Sequence, residues 1–483
     1  MRRKAFTGKI TEKWRALPPA AKASTAYLIC NIVQKCLSFF TMPLFTNLLT
    51  EEQYGQVLVY GSWSGILSIA LTLNLAYGSF STAMVKFEEE RDSYISSIQG
   101  ICLVLSALFF VIYLPFRTFW NGLLELPTPF VVVLVMDIFF NTVILLWCGK
   151  KQFEYRYVGV VAITMLQVLT VIGLSYAMIM HTEEKGYARI LGGAIPAVLI
   201  GGTLFVVNLV KGKKLFSKVY WKYALGFNIP LLAYYFSQVI FNQSDRIMIS
   251  HMVGTDKAAL YGVACSLATV LSFVMNAINS SYIPWFYGKL KTGAQRENQR
   301  ISMGIALLLA ILLSGVIWFA PEIILIFSNR NYVEAANVVP PVAISTFLLF
   351  YAQLFINVEF YHEQKGILVW ASVGAAVTNL VLNWIYIPKF GYVAAAYTTL
   401  VSYILFAFCN CLAMKKLLRA KGISDDAYDY RNLILLFIAF CVTSFLGNWL
   451  YPHLLVRIVV SALVLVVVWI KRQYFIDIYH DFK

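Results

Sequence analysis

The chain is 483 residues long, 60% hydrophobic and 13% charged, with a mean hydropathy of +0.71 and a formal net charge of +15. A water-soluble domain of this composition could not withdraw so much apolar surface from solvent. The basic excess does not describe a nucleic-acid binder either, because it is scattered over short segments between apolar runs.

Crossing a hydrocarbon core of about 30 Å takes about 20 apolar residues per helix. Runs of that kind occur fourteen times, at about 23–46, 54–80, 95–116, 127–148, 157–180, 189–210, 223–252, 259–285, 301–320, 336–360, 366–387, 392–414, 433–451 and 454–470. A transmembrane barrel would show segments of about ten residues with alternating polarity; these runs are continuous. The expected fold is an all-α polytopic membrane protein with about 14 transmembrane helices. Residues 1–22 are basic but hold no separate apolar core and no cleavage site, so the first run is expected to remain as a start-transfer helix.

Two landmarks recur along the chain. Gln53-Tyr54-Gly55 returns as Leu260-Tyr261-Gly262, 207 residues later, and Gly186-Tyr187-Ala188 as Gly391-Tyr392-Val393, 205 residues later. Nearly equal offsets suggest a duplicated unit, the device by which many transporters build a substrate site able to face either side of the membrane. The expected organisation is an N-lobe at 1–215, a C-lobe at 216–420, each of six helices, and two further helices with a cytoplasmic tail at 421–483.

Charge then sets the topology. With the N-terminus inside, thirty of the 39 Lys and Arg residues fall on cytoplasmic segments and six on outer ones: Arg117, Lys185, Arg189, Lys257, Arg330 and Lys389. That asymmetry follows the positive-inside rule and places both termini in the cytoplasm. The basic rim should favour anionic lipid of the inner leaflet. No loop carries a catalytic constellation, so no catalytic residues are assigned. The inner segment 415–432 mixes both signs of charge and reads as a solvated surface. The cysteines lie almost wholly inside the predicted helices, and Cys409 and Cys411 point to different helix faces with no His or acid beside them. Neither a disulfide framework nor a metal site is expected.

Three basic residues remain inside the membrane: Lys35, Arg246 and Arg457. A charge at a helix centre costs about 2.5–3.5 kcal/mol even on the lenient insertion scale, so such groups line a wet cavity, pair, or snorkel. Arg457 is only a few residues into the last helix and reads as snorkelling. Lys35 lines a cavity, or pairs with Asp137 or Asp245. Subtracting the 207-residue offset from Arg246 gives position 39, one helical turn from Lys35. The two cations therefore stand at related depths on predicted helices 1 and 7, where they could converge on a multiply charged anion; a guanidinium suits phosphate oxygens in particular. Asp137, near the centre of predicted helix 4, is a counter-ion for Lys35 or a proton-coupling carboxylate. Asp245 is a possible orienting partner of Arg246, or an ion-coupling group. Glu359 reads as interfacial. Asn31, Gln34, Gln238 and Asn242 surround the cations and Asn276 extends the same surface, either as interhelical hydrogen-bonding groups or as the lining of a hydrophilic cavity. Pro43 and Pro230 stand out as bending points, because they lie on these two helices.

At this point the chain resembles Wzx-type polysaccharide flippases of the multidrug/oligosaccharidyl-lipid/polysaccharide exporter superfamily. The resemblance rests on Asn47-Leu48-Leu49-Thr50-Glu51-Glu52-Gln53-Tyr54-Gly55, on Ser244-Asp245-Arg246-Ile247-Met248-Ile249 with Gly254 and Ala259-Leu260-Tyr261-Gly262-Val263-Ala264, and on Asn379 with the stretch from Ile387 to Ala396. It implies two six-helix lobes and two extra helices. The implied cargo is a polyprenyl-diphosphate-linked oligosaccharide, turned from the inner to the outer leaflet of the bacterial cytoplasmic membrane for capsule, O-antigen or exopolysaccharide synthesis. Lys35 and Arg246 are the candidates for the diphosphate. The run from Ile458 to Ile470 suits an apolar groove for the lipid. No cofactor is expected beyond coupling to H+ or Na+, and a polysaccharide polymerase and glycosyltransferases are the expected protein partners. Two rivals share the superfamily: a lipid II-type wall-precursor flippase, and a drug or cation antiporter. The second would want a carboxylate in the first helix, where this chain has Lys35. A membrane polymerase would need a sizeable outer loop with acid/base groups, which the sequence lacks.

Overall fold

The structure, a computed structural model, describes residues 18–363, 366–473 and 476. The basic N-terminal segment 1–17, Lys365 and the tail from 477 lie outside the described residues, and the topology expectations for them with it. All regular elements among the described residues are helical, and they form two compact units that meet in sequence between Phe236 and Ser237. Twelve helical stretches among the described residues are long and apolar enough to cross a membrane. Two shorter or more polar helices, α3 (Glu51–Thr72) and α19 (Leu454–Ile470), occupy the second and last of the expected runs.

In the first unit, α1 (Pro19–Phe40) starts where proline is tolerated, at a first turn whose N–H groups have no intrahelical partner. It ends at Thr41, and α2 (Met42–Leu48) begins with Pro43 in its first turn. Proline cannot donate back into the preceding turn, which explains the break. Thr50 and Gln53 form a reciprocal capping box at the start of α3, with Glu51 and Glu52 in the positive first turn. Next come α4 (Phe80–Lys86), α5 (Arg91–Tyr113), α6 (Arg117–Leu124), α7 (Thr128–Phe153), α8 (Tyr157–Met180), α9 (Lys185–Gly212) and α10 (Lys218–Asn228). Small residues let α9 approach its neighbours closely. A Cβ on Gly192 would lie 2.4 Å from the Ser175 Cα of α8, and one on Gly201 2.6 Å from the Phe140 carbonyl oxygen of α7. In lipid, where apolar surface gains little by leaving the solvent, such backbone approach is a principal source of helix association.

A short 3-10 turn over Ile229–Leu231, holding Pro230, separates α10 from α11 (Leu232–Met252). Both prolines singled out in the sequence therefore stand at helix breaks. The second unit continues with α12 (Thr255–Thr292), α13 (Asn298–Trp318), α14 (Ala320–Phe327), α15 (Val339–Tyr361), α16 (Gly366–Phe390), α17 (Tyr392–Ala420), α18 (Tyr430–Trp449) and α19.

The repeated landmarks do the same job in each unit. In the first, Gln53 donates to the Glu183 carbonyl at 3.2 Å, and a Cβ on Gly186 would collide with Gln56 at 2.6 Å. In the second, Tyr392 donates to Glu334 at 2.9 Å, while Lys257 stands 3.7 Å from that carboxylate and 5.7 Å from the Tyr392 ring. In both, the start of one landmark helix is pinned beside the start of the other.

Four charge assignments from the sequence need correction. Arg457 does not snorkel; it is 1% exposed, bonded to both Glu322 carboxylate oxygens (2.7 and 2.8 Å) and to the Trp318 and Tyr451 carbonyls. Helix depth alone could not reveal an acceptor 135 residues away in sequence. Glu359, two residues from the end of α15, is not solvated; it is 2% exposed because helices enclose α15, and neither carboxylate oxygen has a hydrogen-bond partner among the described residues. Arg189, counted with the outer loops, lies inside α9, 4.3 Å from the Phe45 ring and 3.1 Å from the Ser175 hydroxyl. The inner segment 415–432 is a solvated surface only in part: Ala427 and Tyr428 are buried, with Asn298 donating to the Ala427 carbonyl, Gln299 to that of Asp426, and Tyr428 to that of Leu354.

Candidate functional site

The second unit holds a small polar cavity of about 160 Å³ in its membrane-spanning part, walled by α11, α12, α15 and α17. Asn242, Asp245 and Arg246 of α11 all line it, with Tyr261, Cys265 and Thr269 of α12, Ser345 and Thr346 of α15, and Thr399 and Tyr403 of α17. Arg246 is half-buried on this wall, beside the Cys265 thiol.

Next to Arg246 in sequence, Asp245 is 5% exposed and does not depend on it for compensation. Its carboxylate accepts from the Tyr261 hydroxyl, from Thr399 Oγ1 at 2.8 Å and from Asn383 Nδ2 at 2.7 Å. A further layer fixes these donors. Asn383 also donates to Asn379 Oδ1 at 3.2 Å, Asn379 donates to Thr399 at 3.0 Å, and Thr398 bonds to Asn383 Oδ1. A carboxylate buried in a membrane protein is tolerated when neutral donors satisfy it in this way. Two hydroxyls and one amide N–H thus point at the carboxylate, all three as donors.

The remaining sequence candidates in this unit are less concentrated. Gln238 donates to Ser372 of α16 at 3.0 Å, and exposed Asn242 donates back to the Gln238 carbonyl at 2.7 Å. Asn276 is exposed on α12; one turn on, Asn279 bonds to Gln353 (3.3 Å) and Asn357 (3.2 Å) of α15.

In the first unit, Lys35 and Asn31 are exposed on α1 one turn apart, beside apolar Leu28 and Ile32, and Gln34 is half-buried. Asp137 of α7 accepts from Asn141 Nδ2 at 2.8 Å, and Asn141 accepts in turn from Gln167 of α8 at 2.9 Å. The structure thus places Asp137 in an amide network joining α7 to α8.

Sequence reading missed the partners that make Asp245 tolerable. Tyr261 was visible only as a repeat landmark and Asn379 only as part of a family motif; Asn383 and Thr398-Thr399 drew no attention. The available signal was spacing. Asn379 and Asn383 stand one turn apart on a largely apolar helix, so they share a face, and two adjacent threonines follow in the next.

A family profile described as "Polysaccharide biosynthesis protein" matches residues 20–288, and a second, MatE, matches residues 230–385. Among curated proteins, the chain is 23% identical over 390 residues to an uncharacterized membrane protein of Haemophilus influenzae, covering 76% of this chain and 92% of that one. It is 22% identical over 350 residues to an uncharacterized membrane protein of Methanocaldococcus jannaschii, covering 67% and 68%. Among solved structures, lipid II flippase MurJ in an inward closed conformation superposes with a TM-score of 0.67 at 12% identity, covering 94% of this chain and 99% of that one. An inward-facing multidrug resistance MATE transporter superposes with a TM-score of 0.57 at 14% identity, covering 82% and 98%. This multi-pass membrane protein shares the fold of MurJ and the MATE transporters and belongs to the polysaccharide biosynthesis protein family.

Proposed function

We propose that the protein moves a polyprenyl-diphosphate-linked oligosaccharide from the inner to the outer leaflet of a bacterial cytoplasmic membrane, for assembly of a surface polysaccharide. The observation that carries this reading is Arg246, a guanidinium on the wall of a hydroxyl-lined cavity inside the membrane-spanning part of a protein of this family. A guanidinium in such a place matches phosphate oxygens, and the surrounding hydroxyls and amides suit a glycan. We assign Arg246 and Lys35 to the cargo's diphosphate. An apolar hollow of about 330 Å³ between α13, α18 and α19, lined by Leu307, Leu436, Phe440, Val464 and Leu465 among others, supports a place for the prenyl chain. Asp245 is the group through which H+ or Na+ would couple to the cycle, its charge shared with Tyr261, Thr399 and Asn383.

The test of the substrate assignment is thermal stabilisation of the purified protein, since a ligand that binds only the folded state raises its stability by mass action. Undecaprenyl diphosphate-sugar should raise the melting temperature by several degrees, and undecaprenol far less. The Lys35→Ala/Arg246→Ala protein should lose most of that difference. Equal stabilisation by the charged and uncharged lipids would remove the cations from the site.

Orientation follows from the charge asymmetry: the ends bearing Lys211, Lys213 and Lys214, and Lys415, Lys416 and Arg419, face the cytoplasm. A membrane-impermeant thiol reagent applied to intact cells should modify cysteines placed at positions 52 and 185 and spare those at 213 and 418. Modification at 213 from outside would invert the map.

A further inference from the structure

The polar cavity of the second unit continues along one face of α12. Thr269 and Ser272 belong to its wall. Asn276 and Ser280 follow at steps of four residues, which keeps all four side chains within one arc of the helix and carries the arc about 16 Å toward the end bearing Lys289 and Lys291. Thr269, Asn276 and Ser280 are exposed, and Ser272 is half-buried. The other faces of α12 differ. Met275, Tyr282 and Phe286 are buried, while Ala277, Ile278 and Ser281 line an apolar groove shared with α13 and α19.

Lipid and water make different demands on such a face. Serine and threonine hydroxyls tolerate lipid by donating to their own helix, as Thr269 does to the Cys265 carbonyl at 2.9 Å, Ser272 to that of Ala268 at 3.4 Å and Ser280 to that of Asn276 at 2.8 Å. The Asn276 side chain, in the middle of the arc, has no hydrogen bond among the described residues, and hydrocarbon would leave its amide unmet. The face is therefore wet. Each back-bonded hydroxyl keeps lone pairs for an incoming donor, and the Asn276 amide can both give and accept. No charged residue occurs between Cys265 and Ser280. Asn279 ties α12 to Gln353 and Asn357 of α15, which fixes the rotation of the helix about its axis. The repeat does not supply such a face to the first unit: 207 residues earlier than Thr269 and Asn276, Ser62 and Ile69 of α3 are buried.

We propose that this face of α12 binds the sugars of the cargo that adjoin its diphosphate, and that it selects uncharged, hydroxyl-rich rings. The assignment rests on the function proposed above: Arg246 holds the diphosphate at the cavity wall, and the arc begins at that wall. Sugar hydroxyls donate to Thr269, Ser272 and Ser280 and pair in both directions with the Asn276 amide. A sugar carrying a carboxylate would find no cation on this face. Because α12 is held in rotation by α15, the four side chains present their polar atoms without reordering on binding, which keeps the entropic cost of recognition low.

Equilibrium binding of two lipids to the purified full-length protein tests this: undecaprenyl diphosphate, and undecaprenyl diphosphate bearing a neutral disaccharide. Wild type should hold the glycosylated lipid roughly twentyfold more tightly, a gain built from an amide worth about fivefold and hydroxyls worth about twofold each. Asn276→Leu should cut that gain about fivefold, and Asn276→Ala, which only shortens the side chain, should do the same. Thr269→Val/Asn276→Leu/Ser280→Ala should bring the two lipids within about twofold of each other, with the affinity for undecaprenyl diphosphate itself near wild type. Ser281→Ala, on the groove side of α12, should change neither affinity. A gain that survives the triple variant would overturn the assignment of this face. So would the absence of any gain in a wild type that binds undecaprenyl diphosphate firmly, and in both cases the diphosphate assignment would stand. A uronic-acid disaccharide held more tightly than the neutral one would overturn the selection for uncharged sugars. Failure of the wild type to bind either lipid would overturn the diphosphate assignment, and this one with it.

Discussion

Asp245→Asn should separate cargo binding from cargo movement. Asparagine keeps the shape of the side chain and can still meet Tyr261, Thr399 and Asn383 once their hydroxyls and amides turn, but it can neither ionise nor hold a cation by charge. The variant is therefore expected to melt close to wild type and to keep the stabilisation given by the diphosphate lipid. Polysaccharide export should fall more than tenfold. Asp245→Ala should do worse: it leaves the donors that meet the carboxylate with no acceptor in a buried site, at about 1–3 kcal/mol for each that finds no other partner. Export at the wild-type level by the asparagine variant would reduce Asp245 to a structural knot joining α11, α12, α16 and α17.

The second large effect is structural. Arg457→Ala should lower the melting temperature substantially, because it removes a guanidinium that binds Glu322 with both arms and satisfies two backbone carbonyls. Breaking a buried pair by deleting one partner costs about 3–5 kcal/mol; the lower end applies here, since the Glu322 side chain is 31% exposed and can be rehydrated. Arg457→Lys should recover only part of the loss, because a single ammonium cannot span both oxygens and both carbonyls. Acid sensitivity provides a check. The Arg457 hydrogen bonds hold the Glu322 carboxyl below its ordinary range, so the folded group loses its proton more readily than the unfolded one. The pair's contribution is then full above the ordinary carboxylate range, about pH 4–5, and disappears as pH falls through the lowered value of Glu322. Melting temperature measured from pH 7 to pH 3 should show this loss in wild type and a flatter profile in Arg457→Ala. Identical profiles would mean the ion pair adds nothing to stability.

Length of apolar run, charge asymmetry and proline placement are local quantities, and they made the helical architecture legible. The helix breaks at Thr41 and at Ile229–Leu231 fall beside prolines because the cause lies in the residue itself. Arg246 was legible as a cation within a membrane helix for the same reason: a charge inside an apolar run is conspicuous. The identity of a partner was not. Whether a charged group in a helix snorkels, pairs or stays alone depends on which helix packs beside it, and sequence does not display that. Arg457 found Glu322, Asp245 found three neutral donors on three helices, and Glu359 is enclosed with no partner among the described residues. Before packing is known, the three look alike. Asn383 and Thr399 were overlooked for the complementary reason: uncharged polar residues are ordinary in membrane helices, and only their convergence on one carboxylate distinguishes them.

The docked segment before α18 changes how the last two helices should be regarded. Tyr428 stands 5.9 Å from Phe286 and 5.7 Å from Phe355, ring centre to ring centre, so the chain crosses α12 and α15 before it enters α18. A chain shortened to twelve helices by ending near position 420 would uncover those rings and leave Asn298 without the backbone acceptor it now uses. The additional helices are thus no detachable extension of a complete twelve-helix body. Their connecting strap forms part of the interior of the unit they follow, so any ancestor lacking them must have closed that surface with different residues.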